Sequence, residues 1–136
     1  MYEHFEHTAD LGLRIRAADL NALFAEAGEA LFAAVVDGLD TVRPDRRMDV
    51  KVAGTELDFL LFDWLRELLY RFDAEHFLFS GFEVSVGEHG LKASAWGEPI
   101  DPARHVLSHE VKAITYHGLR VEQEGDGWIA EVIVDI

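Results

Sequence analysis

The chain has 136 residues, of which 49% are hydrophobic, and it contains no cysteine. This length predicts one domain over residues 1–136 with a sizeable core, and the composition argues against disorder. The absence of cysteine excludes disulfide bonds, thiol catalysis and thiolate metal ligands, and it fits a cytoplasmic location. No apolar stretch approaches the roughly 20 residues of a membrane span. The N-terminus has neither the basic segment nor the apolar segment of a signal peptide, and we expect no membrane association.

The charge balance is strongly acidic. Twelve Lys and Arg against 26 Asp and Glu give a formal net charge of −14. Nucleic-acid affinity depends mainly on cations that neutralise phosphates, so strong direct binding of RNA or DNA is not expected. A basic partner surface or bound cations are favoured instead, although the charge also fits a role in solubility alone.

The chain opens with a predicted strand and helix. Leu11–Ala17 alternates apolar and other residues, which is typical of a half-buried strand. Asp19 is a predicted N-cap for a helix that runs to about Val36, with apolar residues at helical spacing. A loop follows, and then a strand around Met48–Ala53.

A second helix is predicted from Thr55-Glu56-Leu57-Asp58, which has the pattern of a capping box, to about Phe72. Its main apolar face is accompanied by a second face that carries Phe59 and Phe62. Such a helix is either sandwiched between layers or holds a partner.

The second half of the chain is predicted to be strands joined by turns with glycine. Strands, helices and then a run of hairpins indicate an α+β fold: a single domain with two main helices packed against a largely antiparallel sheet. In this fold the N- and C-terminal strands are expected to meet. The predicted strands are Phe82–Val86, Leu91–Trp96, Val111–His117, Leu119–Glu122 and Trp128–Val134.

Acidic groups at the two ends of the chain form the first candidate site. Asp10 precedes a predicted strand, whereas Asp135 and the terminal carboxylate of Ile136 follow the last one, and His7 lies close to Asp10 in sequence. If the terminal strands pair, three carboxylates meet and need a cation or a bound proton. Oxygen ligands suit Ca²⁺, Mg²⁺ or Mn²⁺. The alternative is that Asp10 caps a turn and Asp135 is a solvated strand end.

Two further groups are candidates for partner binding or for supporting the site. On the strand around residue 114, Lys112 suits a phosphate or carboxylate, and His117 suits acid–base chemistry, with Thr115 on the same side as His117. The alternative is a solvated lysine beside a strand histidine. Glu98, between Gly97 and Pro99, suits a ligand or an anchor, although a simple turn also explains it. No Walker A sequence, dinucleotide-binding loop, His-Glu-x-x-His motif or nucleophile elbow is present.

These residues resemble the archease family over nearly the whole chain. The resemblance is carried by four short segments in order: His7-Thr8-Ala9-Asp10, Gly97-Glu98-Pro99, Lys112-Ala113-Ile114-Thr115-Tyr116-His117 and Val134-Asp135-Ile136. Ile114 stands where the family usually has valine, which is a conservative change.

The resemblance implies an accessory protein of an RtcB-type tRNA-splicing RNA ligase, not a ligase itself. Archeases promote guanylylation of the ligase's catalytic histidine and its turnover, and they broaden its nucleotide use. The family's metal site maps onto Asp10, Asp135 and the carboxylate of Ile136, with Ca²⁺ or another hard cation such as Mn²⁺ or Mg²⁺. Two other functions stay open: a metal-dependent hydrolase built on Asp10, Asp135 and His117, and a chaperone-like module that binds through Phe59 and Phe62.

Overall fold

The computed structural model describes residues 1–7 and 9–136 and contains two long helices among ten strands. In chain order the elements are β1 (Tyr2–His7), β2 (Asp10–Ala17), α1 (Leu20–Val35), β3 (Val36–Asp37), β4 (Arg46–Ala53), α2 (Leu57–Glu75), β5 (Phe77–Gly87), β6 (Gly90–Pro99), β7 (Val106–Leu107), β8 (Ala113–Ile114), β9 (Arg120–Glu124) and β10 (Gly127–Asp135). A short 3₁₀ turn covers Leu39–Thr41.

The strands form three sheets in which every described pairing is antiparallel. The first has the order β1-β2-β10-β8, with β9 also paired to β10, the second has the order β4-β6-β5, and the third joins β3 to β7. The predicted α+β fold is therefore confirmed. The strands near the two ends of the chain meet, since β2 pairs with β10 along its whole length.

The core lies around α1, which contacts β2 of the first sheet and β5 of the second. Its N-terminus is capped as predicted, because the Asp19 carboxylate accepts a hydrogen bond from the Ala22 N–H at 2.8 Å. Trp64 of α2 is fully buried, and its indole N–H donates to the Phe24 carbonyl at 2.9 Å. This bond satisfies the buried indole and joins the two helices.

The predicted capping box of α2 is wrong. The helix begins at Leu57, and the residue before it, Glu56, makes no side-chain cap bond. The Asp58 carboxylate instead accepts a hydrogen bond from the Val121 N–H at 2.8 Å. Asp58, the acidic residue of the predicted capping box, therefore makes a tertiary contact instead of a capping bond. The helix also continues past Phe72 to Glu75, where His76 ends it in a left-handed conformation with φ of 54°.

Two strand predictions also differ from the structure. Tyr2–His7 forms β1, which sequence reasoning missed. This strand lies at the sheet edge, and the Phe5 ring packs so closely on Gly12 of β2 that a Cβ there would meet it at 2.2 Å. The predicted strand over Val111–His117 is reduced to the two residues of β8, because only they pair in the ladder with β10.

No helix within the described part of the chain is long and apolar enough to cross a membrane.

Candidate functional site

Strand register brings the two predicted aspartates together. At the end of the first sheet, Asp10 of β2 is paired with His7 of β1 on one side and with Asp135 of β10 on the other. Directly paired residues on antiparallel strands project their side chains to the same face. His7, Asp10 and Asp135 therefore share the outer face, while the neighbouring Leu11 and Val134 point into the core.

A surface depression of about 640 Å³ opens at this end of the sheet. Asp10 and Ile136 line it together with His7 and His109. The Asp10 side chain is 24% exposed, and its Oδ2 lies 3.6 Å from the His7 Nδ1. Ala9 forms the turn between β1 and β2 with φ of 61°, a value uncommon for alanine, and Thr8 lies outside the described residues.

The two aspartates at this end of the sheet lack strong cationic partners within the described residues. The Asp135 side chain has no ion pair there, and Asp10 has only His7, which carries charge only when protonated. The nearest arginine on this face, Arg14, is held elsewhere, since its Nη2 lies 2.9 Å from Glu131 and its Nη1 lies 3.2 Å from Glu3. An added cation would therefore relieve the repulsion between the two aspartates.

The predicted ligands are oxygen atoms, which suit a hard cation, but the described side chains alone do not form a complete metal site here. Among residues 1–7 and 9–136, no three His, Asp or Glu side chains converge as metal ligands. The predicted set contains two side-chain carboxylates, Asp10 and Asp135, and its third predicted member is the main-chain carboxyl group of Ile136. Carboxylate oxygens are the donors that Ca²⁺, Mg²⁺ and Mn²⁺ prefer, with water completing the shell.

Glu6 also lines this depression, and His109 is a further residue of it that sequence reasoning missed as a site candidate. Its position depends on a tertiary pairing, because β7 runs beside the chain that follows α1. The pairing is extended by the Ser108 N–H, which donates to Val35 at 2.8 Å, and by the His109 N–H, which donates to Ala34 at 2.9 Å. No local pattern near residue 109 signals this contact.

Glu98 does not line the depression and instead anchors a loop. It is 6% exposed at the end of β6, and its carboxylate accepts hydrogen bonds from Arg104 at 2.9 Å and from the Arg43 N–H at 2.6 Å. The buried His105 ring nitrogen lies 3.0 Å from the same carboxylate. The bonds from Arg104 are the main cause that lowers the pKa of Glu98 to about 2, against the opposing effect of burial. Of the roles considered for Glu98, the contacts favour the anchor.

The segment that contains Lys112, Thr115 and His117 is brought to the edge of the candidate site. The Lys112 N–H donates to the Asp135 carbonyl at 2.7 Å, and the Lys112 side chain is exposed. The Thr115 hydroxyl donates to the Ile133 carbonyl at 2.8 Å, and it accepts from the His117 N–H at 3.3 Å. Thr115 thus fixes the local backbone, whereas Lys112 and His117 remain available to a partner.

An exposed aromatic cluster follows directly in the chain. Tyr116 stacks on Phe62 with ring centroids 4.0 Å apart and an interplanar angle of 12°, and it meets Phe59 edge-on at 6.0 Å. Tyr116 is 60% exposed and Phe59 is 53% exposed, whereas Phe62 is 5% exposed beneath them. The second apolar face of α2 is therefore covered in part by Tyr116 and open to solvent in part.

Together these features define a small α+β protein in which strands from both ends of the chain present carboxylates side by side. The model of the archease protein family matches residues 2–136, and the chain belongs to this family. The archease of Methanopyrus kandleri is 43% identical over 139 residues, which covers 99% of this chain and 99% of that protein. The archease of Sulfurisphaera tokodaii is 40% identical over 99% of this chain and 98% of that protein.

Two solved structures are also similar to this chain. The solution structure of protein 1598 of Methanobacterium thermoautotrophicum superposes with a TM-score of 0.88 at 34% identity, over 99% of this chain and 98% of that one. The crystal structure of a Thermotoga maritima archease, described as a possible chaperone, has a TM-score of 0.69 at 22% identity, over 100% of this chain and 98% of that one. The second likeness establishes the fold alone.

Proposed function

We propose that this chain is an accessory protein that activates an RtcB-type tRNA-splicing RNA ligase by promoting its guanylylation and turnover. The observation that carries the proposal is the direct pairing of Asp10 with Asp135 across β2 and β10, at the depression that Ile136 lines. In the proposal, Asp10, Asp135 and the carboxyl group of Ile136 hold a divalent cation, either Ca²⁺ or a similar hard ion such as Mn²⁺ or Mg²⁺.

The cation would supply charge neutralisation for phosphoryl oxygens during transfer to a nucleophile. The residues of this chain would have separate tasks. Asp10 and Asp135 present oxygens on one face, His7 orients the Asp10 carboxylate from 3.6 Å, and Lys112 offers an exposed ammonium beside the strand that carries Asp135. Bond making and breaking would belong to the ligase.

Charge supports a protein partner of this kind. A ligase that binds RNA needs a basic surface, and this chain carries a net charge of −14. Opposite potentials speed the encounter of two proteins more than they raise their final affinity. Docking should therefore weaken at high ionic strength, chiefly through a slower association rate.

A second candidate function is a chaperone-like binding module. The specific observation in its favour is the exposure of Phe59 and Tyr116, which form an apolar patch on a charged surface. The related Thermotoga maritima structure is described as a possible chaperone. Suppression of aggregation of an unrelated unfolded protein, lost in Phe59→Ala but kept in Asp10→Asn, would favour this function over ligase activation.

Single-turnover guanylylation of the purified ligase from the same organism tests the first proposal. We expect the chain to accelerate this step by about tenfold or more at limiting metal. Asp10→Asn and Asp135→Asn should abolish the acceleration, whereas Asp126→Asn, the same charge change in the exposed turn before β10, should retain it. Equal guanylylation rates with and without the chain would contradict the proposal.

The same purified protein can be tested for the alternative function of a metal-dependent hydrolase. Turnover of a generic phosphoester by the chain alone, lost in Asp10→Asn, would replace the accessory role with a catalytic one.

A further inference from the structure

Two of the three lysines in this acidic chain face each other. Lys51 of β4 and Lys92 of β6 are directly paired in the three-stranded sheet, far along the chain from the carboxylates of the candidate metal site. Both side chains are exposed on the outer face, while the neighbouring Val50 and Ala93 are buried. Like charges directly opposite each other in a sheet are destabilising, so the fold gains nothing from this pair.

Neither lysine has an ion-pair partner within the described part of the chain. The closest carboxylate on the same strand, Asp49, is held by the Arg47 Nε at 3.1 Å and by the Ser94 hydroxyl at 3.2 Å. Glu83 lies one row away, paired with Ser94, and it lines an adjoining depression together with Asp49, Lys51 and Lys92. The two ammonium groups therefore form no ion pair with the described residues, although both carboxylates lie in the neighbouring row of the sheet.

These lysines line a depression of about 360 Å³ to which no described carboxylate contributes. Ser85, paired with Lys92 across β5 and β6, adds a hydroxyl, and His89 of the hairpin turn adds an imidazole. The His89 ring lies 3.9 Å from Glu88, and both side chains extend into solvent. In a chain with 26 Asp and Glu, a depression lined only by cationic and neutral groups is unusual.

The floor of the depression stays bare for a structural reason. Gly90 has φ of 148°, and a Cβ there would lie 2.1 Å from the Val52 carbonyl oxygen, so only glycine fits. Gly87 is its direct cross-strand partner and likewise carries no side chain. The donors of Lys51 and Lys92 thus flank open space instead of packing against other side chains.

We propose that this depression binds the phosphate group of a small phosphate ester. Two ammonium groups with three donors each, a hydroxyl and an imidazole match an anion that offers several acceptor oxygens. A small ester is favoured over a nucleic-acid strand, because the overall charge of −14 repels a polyanion while the local cations attract a single phosphate. This site is separate from the proposed metal centre and does not depend on the proposed ligase.

The test is an amide-resolved NMR titration of the full chain at low ionic strength with inorganic phosphate and with adenosine 5′-monophosphate. Divalent cations are left out, so that phosphate is not recruited through a metal at Asp10 and Asp135. Both probes should shift the amides of Lys51, Lys92 and the hairpin turn around His89, and leave those near Asp135 unchanged. Absence of shifts around Lys51 and Lys92 with both probes would overturn the proposal.

The three lysines allow a matched control. Lys51→Gln and Lys92→Gln should each weaken phosphate binding by about tenfold, equivalent to about 1.4 kcal/mol. Lys112→Gln removes the same charge from the segment just before β8 and should leave the affinity within about twofold. The double Lys51→Arg, Lys92→Arg variant should retain binding. Equal weakening by Lys112→Gln would mean that only net charge matters and would overturn the site.

A third titration arm uses a short single-stranded RNA. Weaker binding of the RNA than of adenosine 5′-monophosphate supports a small-ester site. Tighter RNA binding that is lost in Lys51→Gln would overturn the assignment to a small ester and make the depression an RNA-backbone contact.

Discussion

Replacing Glu98 by glutamine should destabilise the fold while leaving the candidate metal site intact. The change removes the negative charge that interacts with Arg104, the Arg43 N–H and the His105 ring, but it keeps the size of the side chain. Breaking a buried ion pair by removing one partner costs about 3–5 kcal/mol. Arg104 is 29% exposed, so water can replace part of its lost partner, and we expect a cost of about 2–3 kcal/mol.

This cost should depend on pH in a defined direction. The pKa of Glu98 is lowered from 4.5 to about 2 in the folded chain, chiefly by Arg104, so folding favours the ionised carboxylate. Its contribution is complete above pH 4.5 and is lost as the pH falls towards 2. The difference in unfolding free energy between the wild type and Glu98→Gln should therefore shrink on acidification. Other titrating groups contribute equally to both proteins, so their contributions cancel in that difference.

Urea unfolding followed by tryptophan fluorescence measures the effect, since Trp64 is fully buried. The thermal midpoint should fall by roughly 10 °C at neutral pH. Asp101→Asn is the matched control: its carboxylate lies 3.9 Å from the Arg104 Nε and is 49% exposed, so its loss should cost below about 1 kcal/mol. A Glu98→Gln variant within about 0.5 kcal/mol of wild type, or a difference that persists unchanged at low pH, would refute the anchoring role.

Three further substitution experiments separate folding from function. Asp10→Ala and Asp135→Ala should fold with a metal-free stability equal to or above that of the wild type, because each removes one of the two aspartate charges. Both variants should nevertheless lose ligase activation. Circular dichroism measures the folding and the guanylylation assay measures the activation, and full activation in both variants would remove the metal hypothesis. Lys112→Ala should reduce activation more than it reduces the thermal midpoint, since its side chain is exposed, and the reverse pattern would make Lys112 structural. Phe62→Ala should cost about 3 kcal/mol and Phe59→Ala below about 1 kcal/mol in urea unfolding, because they are 5% and 53% exposed; equal costs would contradict the described packing.

Local patterns predicted the parts of the fold that local physics determines. Asp19 and a stripe at helical spacing gave α1 within a residue at each end. Glycine-bounded turns gave the hairpins β5–β6 and β9–β10. The meeting of Asp10 and Asp135 followed from pairing of strands near the two chain ends, which the structure confirms.

The parts that sequence reasoning missed depend on contacts between distant segments. Strand β1 has no buried face of its own and is recognisable only beside β2, where Phe5 covers Gly12. The role of Glu98 depends on Arg104 and His105 returning from the following loop, a geometry that no periodicity encodes. His109 joins the candidate site only because β7 pairs with the chain after α1.

Calorimetric titration with Mn²⁺ and Ca²⁺ tests the central claim most directly, because it measures cation binding at Asp10, Asp135 and Ile136 without the ligase. The wild type should bind one ion, and glycines appended after Ile136 should weaken binding by converting a charged carboxylate into an amide carbonyl while β10 stays paired. An equal extension before Met1, or Asp126→Asn in the exposed turn, should weaken it less. Unchanged affinity in the protein extended after Ile136 would mean that Ile136 is not a ligand, and absence of binding by the wild type would contradict the metal centre altogether.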